Sequence, residues 1–181
     1  MNLRDDELIE QIRSGDISDL DKIIESYYND IYKFLCRKLS NFEAAQDVTQ
    51  IVFMKFAANF SQYTEQGKLQ NYLFKLAVNA GNDWFRRKID FIPLDEVQEI
   101  ESNVSAPETI TINRDTAEDV KCALYKLPAF QRDVIILRFY HNLSFKDIAR
   151  ITDCGLSSTK SRYRQGMEKL KNLLKEELLY E

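Results

Sequence analysis

The sequence predicts an all-α protein made of two small helical domains joined by a flexible acidic linker. Three observations carry that expectation. The 181 residues hold only five glycines and three prolines, which leaves little room for the turns of a strand-and-hairpin fold. Apolar residues recur three and four apart through most of the chain, the period of one buried helix face. Between residues 89 and 113 that period is lost, and six acids stand there without a single base.

Composition narrows the class further. An apolar fraction of 44% with 30% charged residues fits a globular protein and excludes wholesale disorder. The apolar run Val134-Ile135-Ile136-Leu137 stops at Arg138, far short of the ~20 residues a membrane span needs. The start, Met1-Asn2-Leu3-Arg4-Asp5-Asp6-Glu7, is acidic and lacks the apolar centre of a signal peptide. Cys36, Cys122 and Cys154 are odd in number and widely spaced. They suit a reducing cytoplasm better than a disulfide framework or a zinc cluster.

Charge divides the chain into three blocks. Residues 1–88 carry 12 bases and 13 acids, residues 89–113 six acids, and residues 114–181 13 bases and 10 acids. The middle block also contains Pro93 and Pro107. A stretch of this length is unusual inside one compact domain, so the blocks read as domain (1–88), linker (89–113) and domain (114–181). The linker is either a solvated tether or a polyanion suited to a basic channel.

In the first block, Ser14-Gly15-Asp16 separates a short amphipathic segment (Leu8, Ile9, Ile12) from a longer one running Leu20, Ile23, Ile24, Tyr27, Ile31, Phe34, Leu35, Leu39. A third helix carries Ala44, Ala45, Val48, Ile51, Val52, Phe56 and Phe60, and a fourth, from about Leu69, carries Leu73, Leu76, Ala77, Ala80 and Trp84. Four such stripes close a bundle. The third helix leaves Asp47, Gln50 and Met54 on one outward face, which suits a partner helix or a plain solvated surface. On the fourth, Tyr72, Lys75, Asn79, Asp83 and Arg86 form a second stripe, followed by Arg87 and Lys88. Positive charge gathered on one helix of an acidic protein marks a polyanion site, although basic residues at a helix end also complement its dipole. Asn79 can read a base edge, Arg86 and Arg87 suit phosphates, and Tyr63, exposed by pattern in the preceding loop, can stack on an unpaired base.

In the last block, a helix bearing Val120, Cys122, Ala123 and Leu124 reaches Leu127, and Pro128 at a first helical position starts the next. His141-Asn142-Leu143 is a turn. Ser144 is the N-cap of a short helix, with Asp147 three residues on. Asp153-Cys154-Gly155 breaks that helix before a longer basic one from about Leu156. This is the helix-turn-helix layout. The long helix divides into a packing side (Leu156, Thr159, Tyr163, Met167, Leu170) and a side bearing Ser157, Lys160, Ser161, Arg164 and Gln165, the residue types a major-groove helix presents. Arg162 is placed for the phosphate backbone.

These residues resemble a known family. Ala44-Ala45-Gln46-Asp47-Val48-Thr49-Gln50-Ile51-Val52-Phe53 looks like the polymerase-binding segment of the bacterial extracytoplasmic-function (ECF) sigma factors, with its Asp-x-x-Gln-x-x-Phe pattern. The run from Tyr72 to Asn79, with Asp83, Arg86 and Arg87, resembles their −10-reading helix. Leu127–Val134, Leu143–Ala149 and Lys160-Ser161-Arg162 resemble their −35-reading domain. The resemblance implies that Asp47, Gln50, Phe53 and Met54 face core RNA polymerase (its β′ and β subunits). It implies that Tyr63, Tyr72, Lys75, Asn79, Asp83, Arg86 and Arg87 lie at the −10 element, and that Ser157, Lys160, Ser161, Arg162, Arg164 and Gln165 lie at the −35 element. It implies promoter DNA and an anti-sigma factor, soluble or membrane-bound, as further partners, and a cytoplasmic protein that joins the nucleoid in holoenzyme. The chain departs from the pattern at Tyr72 (usually Trp), Val78 (usually Arg), Asp153 (usually Gly) and in Ser157-Ser158-Thr159, which replaces a Gly-Thr-Val entry to the recognition helix.

Nothing points to an enzyme, a metal or a cofactor. His141, the single histidine, has no Cys or His at ligand spacing, and the chain has no glycine-rich phosphate loop and no nucleophile elbow. The competing reading is a stand-alone helix-turn-helix regulator that binds duplex DNA. It explains residues 114–181 equally well, but not the basic stripe beside Asp47 and Gln50.

Overall fold

The computed structural model describes residue 9 and residues 18–60, 63, 68–90 and 116–179. Among these residues every regular element is helical, as the sequence predicts. Helix α1 spans Ser18–Leu39, α2 Phe42–Ala58 and α3 Leu69–Asp90. Then come α4 (Thr116–Tyr125), α5 (Ala129–Ile135) with a π-helical turn over Ile136–Tyr140, α6 (Phe145–Ile151) and α7 (Leu156–Leu179). The Ser14-Gly15-Asp16 break, the loop from Ser61 apart from Tyr63, and the acidic stretch from 91 lie outside the described residues.

Local chemistry fixes the helix ends. Ser40 closes α1 in the left-handed region (φ 51°), its N–H donating to the Cys36 carbonyl at 3.0 Å. Asn41 then caps α2, its side-chain oxygen accepting from the Ala44 N–H at 2.8 Å. Pro128 stands just before α5 as its N-cap rather than inside its first turn, and its carbonyl accepts from the N–H groups of Gln131 and Arg132.

Ile23, Ile31, Phe34, Leu35 and Leu39 of α1 pack against Ala45, Val48, Val52 and Phe56 of α2 and Leu69, Leu73, Phe74, Ala77 and Val78 of α3. Each large side chain buried this way is worth about 1.5–3 kcal/mol. The same cluster continues without a break into the C-terminal helices through Val134, Ile136, Leu137, Leu143, Ile148 and Ile151. A smaller cluster joins Ala123, Leu124, Leu127 and Ile135 to Leu170 of α7. Gly166 permits that approach, because an added Cβ would lie 2.8 Å from Ile135 Cδ1 and 3.2 Å from Gln131 Cβ.

The two halves are therefore docked on each other, which their separate charge blocks did not predict. At the centre of the seam Lys38 is 1% exposed and its ammonium lies 2.7 Å from both carboxylate oxygens of Asp133. It also donates to Asn82 Oδ1 at 2.9 Å. Burial pulls the Lys38 pKa below its ordinary value, and Asp133 opposes that pull. Beside the pair, the Arg132 guanidinium donates to the Lys38 carbonyl at 2.7 Å and lies over the Tyr125 and Phe85 rings.

His141, in the turn after the π-helical segment, sits edge-on to Phe74 and Phe34, with ring centroids 4.7 and 6.2 Å away. Burial lowers its pKa to about 4. Asp30 opposes the shift, while Arg37 and Lys33 reinforce it. The unfolded chain binds this proton below about 6.5 and the folded chain only below about 4, so stability is lost as pH falls through that window. We expect the urea midpoint to drop between pH 7 and pH 5, and His141→Phe, which keeps the ring contacts, to flatten that drop. An identical drop in the variant would show that another group is responsible.

Candidate polymerase-binding and promoter-reading faces

Helix α2 buries one stripe and presents another. Asp47 and Gln50 are exposed and Met54 is 70% exposed, on the face opposite Val48, Val52 and Phe56. Phe53 is buried and stacks on Tyr28 with centroids 5.9 Å apart. It supports this surface from within rather than forming part of it. Phe42, 63% exposed at the start of α2, is a feature that the apolar period gave no reason to expect outside.

Helix α3 carries the second face. Asn79, Arg86 and Arg87 are exposed. Asp83 accepts from Arg86 Nη2 at 2.9 Å and lies 3.7 Å from Lys55 Nζ, so its charge is already answered inside the domain. Lys75 pairs with Asp153 of the other domain at 2.7 Å. Tyr72 is half-buried against Tyr63, with centroids 4.8 Å apart. Tyr63 itself is only 6% exposed and also stacks near Phe60. The exposed position expected for Tyr63 is thus corrected, because a polar loop pattern cannot reveal an aromatic cluster that closes the end of α2 and α3. Val78 is buried in the core cluster, where an arginine would need a partner.

The third face is the helix-turn-helix. Ser144 caps α6, its Oγ accepting from the Asp147 N–H at 3.1 Å and donating to Asp147 Oδ2 at 2.7 Å. Burial pushes the Asp147 pKa up, but the Ser144 hydroxyl, the Asn71 amide, Lys68 and Arg150 outweigh it and hold the carboxyl below its ordinary value. In the turn, Asp153 takes a left-handed backbone (φ 50°), where glycine is strain-free and Asp is tolerated. The residue that turns the chain is therefore Asp153 and not Gly155.

From α7, Ser157, Lys160, Arg164 and Gln165 project into solvent, with Ser161 half-buried among them. Thr159 is fully buried, and its hydroxyl donates to the Gly155 carbonyl at 3.0 Å. Two placements differ from expectation. Leu156, the first residue of α7, is 45% exposed rather than packed. Arg162 turns inward, its guanidinium at the Cys154 sulfur and 5.1 Å from the centre of the Phe130 ring, so it braces the turn. Among the described residues no group of side chains is arranged to hold a metal ion, and no helix is long and apolar enough to cross a membrane.

An exposed acid-amide-methionine face, a basic helix beside it and a separate helix-turn-helix together define a transcription-initiation specificity subunit. The family models agree. Sigma-70 region 2 matches residues 23–89 and sigma-70 region 4 matches residues 123–172. The chain belongs to the sigma-70 family, in its ECF group. It is 26% identical over 178 residues to the ECF RNA polymerase sigma factor SigW of Bacillus subtilis (strain 168), covering 93% of this chain and 95% of that protein. It is 23% identical over 180 residues to the ECF RNA polymerase sigma-E factor of Escherichia coli (strain K12), covering 94% of each. Among solved structures it resembles the sigma factor RpoE in complex with the anti-sigma factor NepR from Bartonella quintana. The TM-score is 0.69 at 26% identity, over 87% of this chain and 97% of that one. CnrH in complex with the cytosolic domain of CnrY, at 18% identity and TM-score 0.69, shares the fold.

As an ECF sigma factor the chain directs promoter-specific initiation by RNA polymerase, and the Ser144 cap fixes the start of α6 in its helix-turn-helix. Replacing such a cap with alanine costs about 1 kcal/mol. We expect Ser144→Ala to lower the denaturant midpoint accordingly, read by circular dichroism. No loss would mean that Asp147 and the apolar contacts of α6 suffice.

Proposed function

We propose a division of labour in which each exposed face performs one step of initiation. The α2 face, with Asp47, Gln50 and Met54 over buried Phe53, seats the factor on the coiled surface of core polymerase. The α3 face, with Asn79, Arg86 and Arg87 and with half-buried Tyr72 at its upper end, engages the separated −10 strand. The α7 face, with Ser157, Lys160, Ser161, Arg164 and Gln165, enters the major groove at −35. The observation that carries this reading is the exposure of Lys160 and Arg164 on one side of α7 while Thr159 and Leu170 anchor the other.

No step requires a catalytic group in this chain, since bond making belongs to the polymerase. The protein acts in the cytoplasm, at the nucleoid when in holoenzyme. An anti-sigma factor as a sequestering partner is supported by the relative solved with NepR.

Reconstitution tests the reading. With core polymerase, the chain should confer start-site choice on promoters selected from genomic fragments. A stand-alone regulator would instead footprint promoter duplex unaided and leave the polymerase non-specific. Asp47→Ala combined with Gln50→Ala should weaken capture of core polymerase at least tenfold without changing the circular dichroism spectrum, and unchanged capture would remove that face from the account. Lys160→Ala and Arg164→Ala should each cost about 1–3 kcal/mol of −35 discrimination. Equal losses on every −35 variant would reduce them to phosphate contacts.

A further inference from the structure

A cavity of about 810 Å³ opens where α1, the start of α2, α4, the π-helical turn and α7 meet. Its volume falls in the range of small-molecule sites, ~300–1,000 Å³. The buried part of its wall is aliphatic, made by Leu124, Ile135 and Leu170. Two aromatic rings at its edge stand in water, Phe42 63% and Phe139 64% exposed. Exposed rings beside an apolar hollow mark a place that an apolar ligand covers. Phe139 and Tyr140, which also lines the cavity, are carried by the π-helical turn Ile136–Tyr140, a rare distortion that is frequent at functional sites.

The charges in the wall have one sign. Lys33, Arg37 and Lys121 line the cavity, and among the described residues no carboxylate does. Lys33 is exposed and the other two are half-buried, so the cations lie toward solvent and the aliphatic wall lies deeper. The Arg37 guanidinium is held 4.1 Å from the centre of the Tyr140 ring and donates to the Lys33 carbonyl at 3.0 Å. Lys121 Nζ stands 5.6 Å from the centre of the Phe42 ring. A guanidinium fork suits a carboxylate.

The shape of the ligand follows from what the wall lacks. An extended peptide would bury N–H groups that need acceptors, and no side-chain carbonyl or carboxylate of the described residues lines the cavity. A helix is ~10 Å across with 5.4 Å per turn, so a space of this size holds roughly two turns, too few to stand alone. An alkyl chain has no polar group to satisfy.

We propose that this cavity binds a long-chain carboxylate, a free fatty acid whose chain lies on Leu124, Ile135 and Leu170 between Phe42 and Phe139. Its head meets Arg37 and Lys33. Helices α1 and α2 supply one wall and α4 and α7 the other, so both halves of the chain hold the ligand.

The probe is radiolabelled oleate in equilibrium dialysis with the full-length free protein, below the concentration at which oleate aggregates. One saturable site is expected. Dodecanoate should compete about fifteenfold better than decanoate, since each buried methylene tightens binding about fourfold. Oleyl alcohol, which keeps the chain without the charge, should compete at least tenfold more weakly than unlabelled oleate, and this comparison needs no variant. Arg37→Gln should weaken oleate binding by a similar factor. Lys146→Gln, which removes an exposed cation on α6, should leave it unchanged. Met167→Trp, which fills the cavity from α7, should abolish binding while circular dichroism shows the helices intact. Absent or non-saturable uptake, equal competition by oleyl alcohol, or full binding by folded Met167→Trp protein would overturn the proposal. Self-association of the free protein in sedimentation, reversed by Phe42→Ser with Phe139→Ser and indifferent to oleate, would assign the patch to a second copy of the chain and overturn it as well.

Discussion

The structure turns on one buried ion pair, Lys38 with Asp133. Taking two charges out of water costs several kcal/mol for each ion, and their attraction offsets this only when geometry and hydrogen bonding are good. Here both carboxylate oxygens meet the ammonium, Asn82 Oδ1 accepts a further hydrogen bond from it, and Arg132 donates to the Lys38 carbonyl. The exchange of hydration for pairing is thus nearly balanced. When the domains part, both charges return to water at little cost, so the polar part of the seam favours a defined register more than a tight grip. The apolar part, one core cluster that includes Phe74 of α3 and Ile148 and Ile151 of α6, supplies attraction. A seam built this way is specific yet separable, as a factor that must span two promoter elements requires.

The same constraint explains the unequal states of the three faces. Asp47, Gln50 and Met54 of α2 and Ser157, Lys160, Arg164 and Gln165 of α7 are exposed in the docked form. The α3 face borders the seam, and Lys75 and the neighbouring Lys68 are paired there with carboxylates of the other domain. Asp153 has two tasks. It turns the chain in the left-handed conformation, where the family pattern has glycine, and it supplies the carboxylate that holds Lys75. Glycine at this position would perform the first task only.

The all-helical architecture, the helix-turn-helix and most exposed site residues were legible in the sequence because each rests on local period and capping. The Ser144–Asp147 cap and the division of α7 around Thr159 are of this kind. The seam was not legible, because a charged residue in an apolar stripe has no local meaning. Lys38 stands three and four residues from Leu35 and Phe34, on the buried side of α1, and Asp133 abuts the apolar run from Val134. Each alone looks like a surface charge, and only long-range packing pairs them. Tyr63 and Arg162 were misplaced for a related reason. Their ends are polar enough for solvent, but Tyr72 and Phe130 offer their rings closer by.

The most direct measurement is the distance between spin labels on α2, at Glu43, and on α7, at Lys169, in full-length protein before and after addition of core polymerase. The account predicts one short, narrow distribution for the free chain and a separation longer by several tens of ångströms in the holoenzyme. A broad, long distribution in the free chain, unchanged by polymerase, would contradict it.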